Sequence, residues 1–149
     1  MNCFSKKTSG VLAASFFAAF MAASAYGYYS YKFSRLNFVD FGEWVFYTGD
    51  GDIFEPNGDM YAVLFYSALQ EEAMNVLRRV NNAKQLPVLA IDLSQSRQPS
   101  INNVVFVTAG INTLLPLLRR FNITHSPSLM LIKREKGALY KQATLVEYL

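Results

Sequence analysis

The stretch NITHSPSLMLI, residues 122–132, decides how the rest of the chain reads. A proline follows Ser126, and strand-friendly residues fill positions 128–132 directly after it. Proline has no N–H to give to a sheet ladder, so Pro127 belongs at the first residue of a strand. A second run, YAVLFYSALQEEAMNVLRRV at residues 61–80, looks built to pack beside it. That run opens with a short apolar strand, 62–66, whose unbroken hydrophobicity fits a strand covered on both faces. A helix over about residues 68–83 follows, with Leu69, Ala73, Val76, Leu77 and Val80 on its apolar side. Glu71 and Glu72 fall in its first turn and Arg78 and Arg79 near its end, both suited to the helix dipole.

Outward from these two runs, Pro87 closes a linker and VLAIDL, 88–93, reads as a parallel strand ending near Asp92. Residues 94–103 (SQSRQPSINN) are polar and loop-like. VVFVT, 104–108, is either an added edge strand or an extension of the helix after it. That helix covers about 111–121, and Pro116 either kinks it or marks its true first turn. Past Pro127 the strand ends at Ile132, residues 133–137 form a charged turn, and 138–143 make the partner of a hairpin. Residues 144–149 begin a terminal helix. On the N-terminal side, GEWVFYT, 42–48, is an aromatic-rich strand, and two Gly/Asp/Pro/Asn clusters between 49 and 59 are turns. The aspartates in those turns lack the spacing of a calcium loop.

The order strand, helix, strand, helix, X-Pro-strand resembles the thioredoxin-like superfamily. FYSALQEEA resembles that superfamily's segment from the central strand into the first helix. FNITHSPSLMLIK resembles its cis-proline segment, and Asp92 its strand-end aspartate. The resemblance implies an α/β fold, a thioredoxin-like central sheet flanked by helices, with a cis Ser126–Pro127 peptide. It also implies that the superfamily's two redox cysteines would fall at Gln70 and Ala73. Thiol exchange needs a low-pKa thiolate at the helix start. An amide and a methyl group do not supply one.

The first thirty-five residues are a different material. Lys6 and Lys7 precede an apolar run, 11–31, with no charge until Lys32. At 1.5 Å per residue this run spans roughly 30 Å, the thickness of a bilayer core. A cleaved signal peptide would use Ala23-Ser24-Ala25 as its small-residue site. An uncleaved anchor would run on through Tyr26, Tyr28, Tyr29 and Tyr31, which resemble an interfacial aromatic belt. Length and tyrosines favour the anchor. Gly10, Ala14, Ala18 and Ala22 recur every fourth residue, a spacing that lets helices pack closely in a membrane. The expected division is a cytoplasmic N-terminus (1–10), a transmembrane helix (11–31), a connector (32–41) and a thioredoxin-like periplasmic domain (42–149).

Of the 149 residues, 52% are hydrophobic and 17% charged, enough to bury a core and too apolar for disorder. The single cysteine, Cys3, rules out an internal disulfide and a four-cysteine zinc site. The single histidine, His125, gives no catalytic triad or metal cluster. The sequon at Asn122 reads as chance in a bacterial envelope protein. Charge is segregated: residues 36–72 hold eight acidic side chains and no Lys or Arg, while 73–149 hold ten basic and three acidic ones. Opposite-sign surfaces steer and orient partners.

The chain is therefore expected to be a non-catalytic, single-pass subunit of a bacterial inner-membrane assembly, needing no cofactor and no metal. Its domain faces the periplasm and binds other subunits or a second copy; nucleic acid is not expected. The resemblance extends to accessory subunits of flagellar motors and secretion or conjugation machines. A periplasmic chaperone holding extended peptides, or a pseudo-enzyme regulator of a disulfide oxidoreductase, is the alternative. The expected contact residues are Leu69, Gln70, Ala73, Ser126 and Pro127 at the helix start and proline loop, with the arginine pairs Arg78/Arg79 and Arg119/Arg120.

Overall fold

A computed structural model describes residues 3–35, 37–83 and 85–149. The chain divides into two compact units, Met1–Leu36 and Asn37–Leu149. The first is one helix, α1 (Cys3–Arg35). Within it, Gly10–Tyr31 is long and apolar enough to cross a membrane, at a mean hydropathy of 1.5, with every side chain exposed. Ser15 turns its hydroxyl back onto the Val11 carbonyl at 2.9 Å, which satisfies a polar group that lipid would not. Helix extends past both ends of the expected 11–31 span, and residues 32–35, expected in the connector, are helical.

The second unit is an α/β sandwich around one mixed sheet. Its strands are β1 (Phe38–Asp40), β2 (Tyr47–Thr48), β3 (Met60–Tyr66), β4 (Val88–Asp92), β5 (Val104–Thr108), β6 (Ser128–Lys136), β7 (Leu139–Gln142) and β8 (Glu147–Tyr148). They lie in the order β1-β7-β6-β3-β4-β5-β2, with β8 also on β6. β3, β4 and β5 run parallel; β6 is antiparallel to β3 and forms the hairpin with β7. Two helices cover the faces: α2 (Ala73–Ala83) and α3 (Ile111–Arg120). This is a thioredoxin-like fold, a central sheet flanked by helices.

Alternation along β3 separates two cores. Tyr61, Val63 and Phe65 point to the α3 side, joining Phe41, Phe46, Phe54, Leu114, Leu117, Phe121, Met130, Ile132 and Tyr140. Ala62, Leu64 and Tyr66 point to the α2 side, with Leu77, Val80, Val88, Ala90, Phe106 and Leu129. Every side chain of β3 past Met60 is buried, as its apolar run requires.

Several expectations are corrected. The connector holds β1, three residues paired to β7 through Phe38↔Lys141 and Asp40↔Leu139. The strand expected at 42–48 shrinks to Tyr47–Thr48, because the Asp40 carboxylate and carbonyl draw the N–H groups of Gly42, Glu43 and Trp44 into a turn. β5 is an inner strand between β4 and β2. α2 begins at Ala73, five residues later than expected, so Glu71 and Glu72 precede the helix. Pro116 sits in the interior of α3. Its missing N–H leaves the Asn112 carbonyl without a helical donor, and both residues are exposed, so water can serve it. β6 runs on to Lys136 through an irregularity, and Gly137, at φ 57°, makes the turn where a side chain would be strained. Residues 144–149 form no helix. After a bulge they continue β7 along β6 as β8, with Ser128↔Tyr148 and Leu129↔Glu147 in register.

Candidate functional site

The C-terminal ends of β3 and β4 and the start of β6 converge on one corner. The Ser126–Pro127 peptide is cis. Ser126 places its hydroxyl 3.4 Å from the Gln70 side-chain oxygen, so the structure brings these two expected contact residues together. Leu69, beside them in sequence, is 86% exposed. Ala73 is buried as the first residue of α2. The corner thus offers an amide, a hydroxyl and an exposed leucine, groups that bind by hydrogen bonding and apolar contact. His125 belongs to it too: its Nδ1 lies 2.8 Å from the Thr124 hydroxyl, and the Tyr148 ring meets it edge-on at 5.7 Å.

Directly behind the corner Asp92 is buried. Its Oδ1 accepts the N–H groups of Ala68 (3.1 Å) and Ser94 (2.9 Å) and the Ser94 hydroxyl (2.6 Å). Its Oδ2 accepts the Ser96 N–H at 3.0 Å and, at close range, the Ser96 hydroxyl. Burial pushes its pKa up, but the hydrogen bonds from Ser94, Ser96 and Ala68 outweigh burial and hold the carboxyl below the usual aspartate value. The carboxylate therefore ties the β3–α2 turn to the loop after β4, and the Gln70 and Ala73 N–H groups close turns on the Ser67 and Gln70 carbonyls before α2 begins. Residues 94–96 read only as polar loop from sequence; the alternation Asp92-x-Ser94-x-Ser96 was the available signal.

The two arginine pairs behave differently. Arg78 lines a groove of about 280 Å³ on one side of α2, with Met74, Leu77, Ile101, Val104 and Phe106. Arg79 lines a groove of about 320 Å³ on the other side, with Val76, Val80, Ala83, Leu129, Glu147 and Leu149. Arg119 is exposed. Arg120 is turned inward: its Nη1 donates to the Phe38 carbonyl at 3.1 Å, and its guanidinium lies 4.4 Å from the centre of the Trp44 ring. It holds β1 and the following turn against α3, so only Arg119 of this pair remains as a contact surface. Gly10, Ala14, Ala18 and Ala22 lie on α1 in the other unit, all exposed.

A second cluster, on the α3 face, escaped the sequence reading altogether. Arg134 donates to the carbonyls of Pro56 (3.0 Å) and Gly58 (3.1 Å) and to the Tyr140 hydroxyl (3.1 Å). Tyr140 donates to Gly58, and the Tyr61 hydroxyl accepts the N–H groups of Asn57 and Gly58. The turn at 55–59 is thereby clamped to the sheet. Its Asp59 adds little, being 3.7 Å from Arg134 with its side chain 92% exposed.

No protein-family model matches the chain, and no curated protein matches it. Among solved structures it is similar to the pneumococcal exposed lipoprotein thioredoxin of Streptococcus pneumoniae, at 10% identity over 70% of this chain and 87% of that one, with a TM-score of 0.48. A conserved protein of unknown function from Bacteroides fragilis aligns at 14% identity over 63% of this chain and 82% of that one, at a TM-score of 0.45. A thioredoxin-like protein from Aeropyrum pernix aligns at 14% over 78% and 84%, at 0.42. The chain's own strand order and element order carry the assignment of a thioredoxin-like fold.

Proposed function

We propose that this protein is a non-catalytic binding subunit, held in a bacterial inner membrane by α1, with residues 37–149 in the periplasm as part of a larger envelope assembly of flagellar-motor, secretion or conjugation type. The observation that carries the reading is the corner itself: Gln70 and Ala73 occupy the positions a thiol pair would need, while the ends of β3, β4 and β6 still converge there. Lys6 and Lys7 before the apolar span favour the inward N-terminus. The grooves flanking α2, each rimmed by an arginine, supply binding surface, because arginine's planar fork suits carboxylates and is enriched at interfaces.

A second reading, a holder of extended peptides, is favoured by β8, a short strand already added to β6 beside Pro127. Purification of the full chain in mild detergent from its native membrane separates the two. A stoichiometric complex of high mass is the expected outcome. Recovery as a free monomer with substoichiometric, exchanging clients would replace the subunit reading with the holder.

A further inference from the structure

The edge of β6 beside Pro127 is occupied by the chain's own last strand. The Leu149 N–H donates to the Pro127 carbonyl at 3.1 Å, and Tyr148 and Glu147 stand opposite Ser128 and Leu129. The Thr144 hydroxyl accepts the Leu131 N–H at 2.9 Å where the bulge begins. Odd-numbered side chains of this strap face α2: Glu147 and Leu149 line the 320 Å³ groove with Val76, Val80, Ala83 and Arg79. Tyr148 points the other way, its hydroxyl donating to the Asn122 carbonyl at 3.2 Å.

The strap is weakly held. Two residue pairs join it to β6, and Leu145, Tyr148 and Leu149 keep 88%, 49% and 49% of their surface in water. By area alone, such side chains contribute little of the burial that fixes a strand. Beneath it lies an apolar trough with Arg79 at its rim.

We propose that this edge is a strand-accepting site for extended peptides, and that residues 145–149 close it by occupying it. The occupant chemistry is the strap's own: a segment antiparallel to β6, acidic at the position of Glu147 and apolar at that of Leu149. The acid faces Arg79, and the apolar side chain enters the trough between Val76, Val80 and Leu129. Backbone pairing supplies affinity, and the trough selects alternate side chains. Because the strap and the ligand use the same N–H and C=O groups, binding requires the strap to leave, and apparent affinity scales with the open fraction. The proposal deepens the reading of the protein as a binding module.

The test uses the full chain in detergent and a fluorescein-labelled peptide of sequence TLVEYL as probe. Deleting residues 145–149, or the milder Leu149→Pro, which removes the N–H given to Pro127, should raise probe affinity by roughly tenfold over the parent. A lock should do the reverse. Pro127 and Leu149 form a hydrogen-bonded pair, so Ser128 and Tyr148 form the close, non-bonded one, at a spacing a disulfide fits. In a Cys3→Ser background, Ser128→Cys with Tyr148→Cys should abolish probe binding when oxidised and restore it on reduction. Unchanged affinity on release, probe binding by the locked protein, or release that yields only a dimer would each overturn the proposal. A high-mass native complex alongside such a failure would leave the subunit reading standing.

Discussion

The two faces of the sheet are closed in different ways. On the α3 side aromatic rings interlock and the hydroxyls of Tyr61 and Tyr140 are bonded, while Ser128, paired with Phe65 on that face, buries a hydroxyl with no partner among the described residues. Phe41 meets Phe46, Phe54 and Tyr140 at 5.3–5.6 Å, and the hydroxyls of Tyr61 and Tyr140 both bond the turn at 55–59. On the α2 side the lining is largely aliphatic, and Tyr66, buried to 1%, has no hydrogen-bond partner for its hydroxyl among the described residues. Burial first, and the neighbouring Asp92 charge second, keep that phenol protonated far beyond neutral pH. Seven strands at about 4.8 Å make a face roughly 30 Å wide, and a helix covers about 10 Å of it. Each face carries one helix of this unit, but on the α3 side the segment holding Phe41, Phe46 and Phe54 adds cover, whereas α2 has a groove along each flank. The finished face is where this fold gets its stability. The other keeps open grooves beside its helix.

The sharpest way to break that contrast is to remove one large side chain from each face. Tyr140→Ala empties a fully buried site walled by Phe41, Tyr61 and Arg134 and removes one of the two donors to the Gly58 carbonyl. A loss of about 4 kcal/mol in denaturant unfolding is expected. Leu77→Ala, on α2 at the wall of the smaller groove, should cost about 2 kcal/mol, because a site already open on one side leaves little new cavity. Equal costs would mean that the α2 face is packed as firmly as the other.

Asp92 is the polar tie of the α2 face, and its contribution is readable by pH. Asp92→Asn keeps the volume but turns an amide towards the Ser96 donors, for an expected loss of about 2 kcal/mol at pH 7. The folded carboxyl titrates below its ordinary value of 3.8. Its stabilisation is therefore complete above that ordinary value and is lost as pH falls through it towards the lower folded one. Stability measured from pH 6 to pH 2 should fall less steeply in Asp92→Asn than in the parent. Parallel curves would assign the acid sensitivity to other groups.

How much of this was legible follows from the reach of each signal. β3, β4 and the start of β6 are short continuous apolar runs bounded by prolines or turns, and that length with those boundaries marks them. β1 is three residues, Phe38–Asp40, too short for any period, and it exists because β7 offers it an edge. The helix expected at 144–149 is replaced by a strand, Glu147–Tyr148, because the free edge of β6 is there to pair with it. α2 starts late because residues 67–73 close as successive turns, Gln70 on the Ser67 carbonyl and Ala73 on the Gln70 carbonyl, tied at Ala68 to a carboxylate twenty-four positions away. The corner of Gln70 and Ser126 was legible because the proline before β6 and the end of the apolar run of β3 are local marks. The grooves were not, since they are made by what fails to cover α2.

The smallest expected effect bears most directly on partners. From sequence, Arg119 and Arg120 are one basic pair at a helix end. In the fold they divide: Arg120 bonds the Phe38 carbonyl and stacks on Trp44, while Arg119 faces water. Arg120→Ala should cost about 2 kcal/mol, the low end for a charged hydrogen bond together with a partly exposed cation–π contact. Arg119→Ala should change stability by less than about 0.5 kcal/mol. Reversing both charges at once would mix loss of fold with loss of binding, so the surface is properly probed by Arg119→Glu and Arg78→Glu separately. Release from the native complex by either, with the melting temperature held, would place the partner on that arginine. Retention of both variants in the complex at moderate salt would show that these guanidinium groups face only solvent, and would shift attention to the β6 edge and the groove under Arg79.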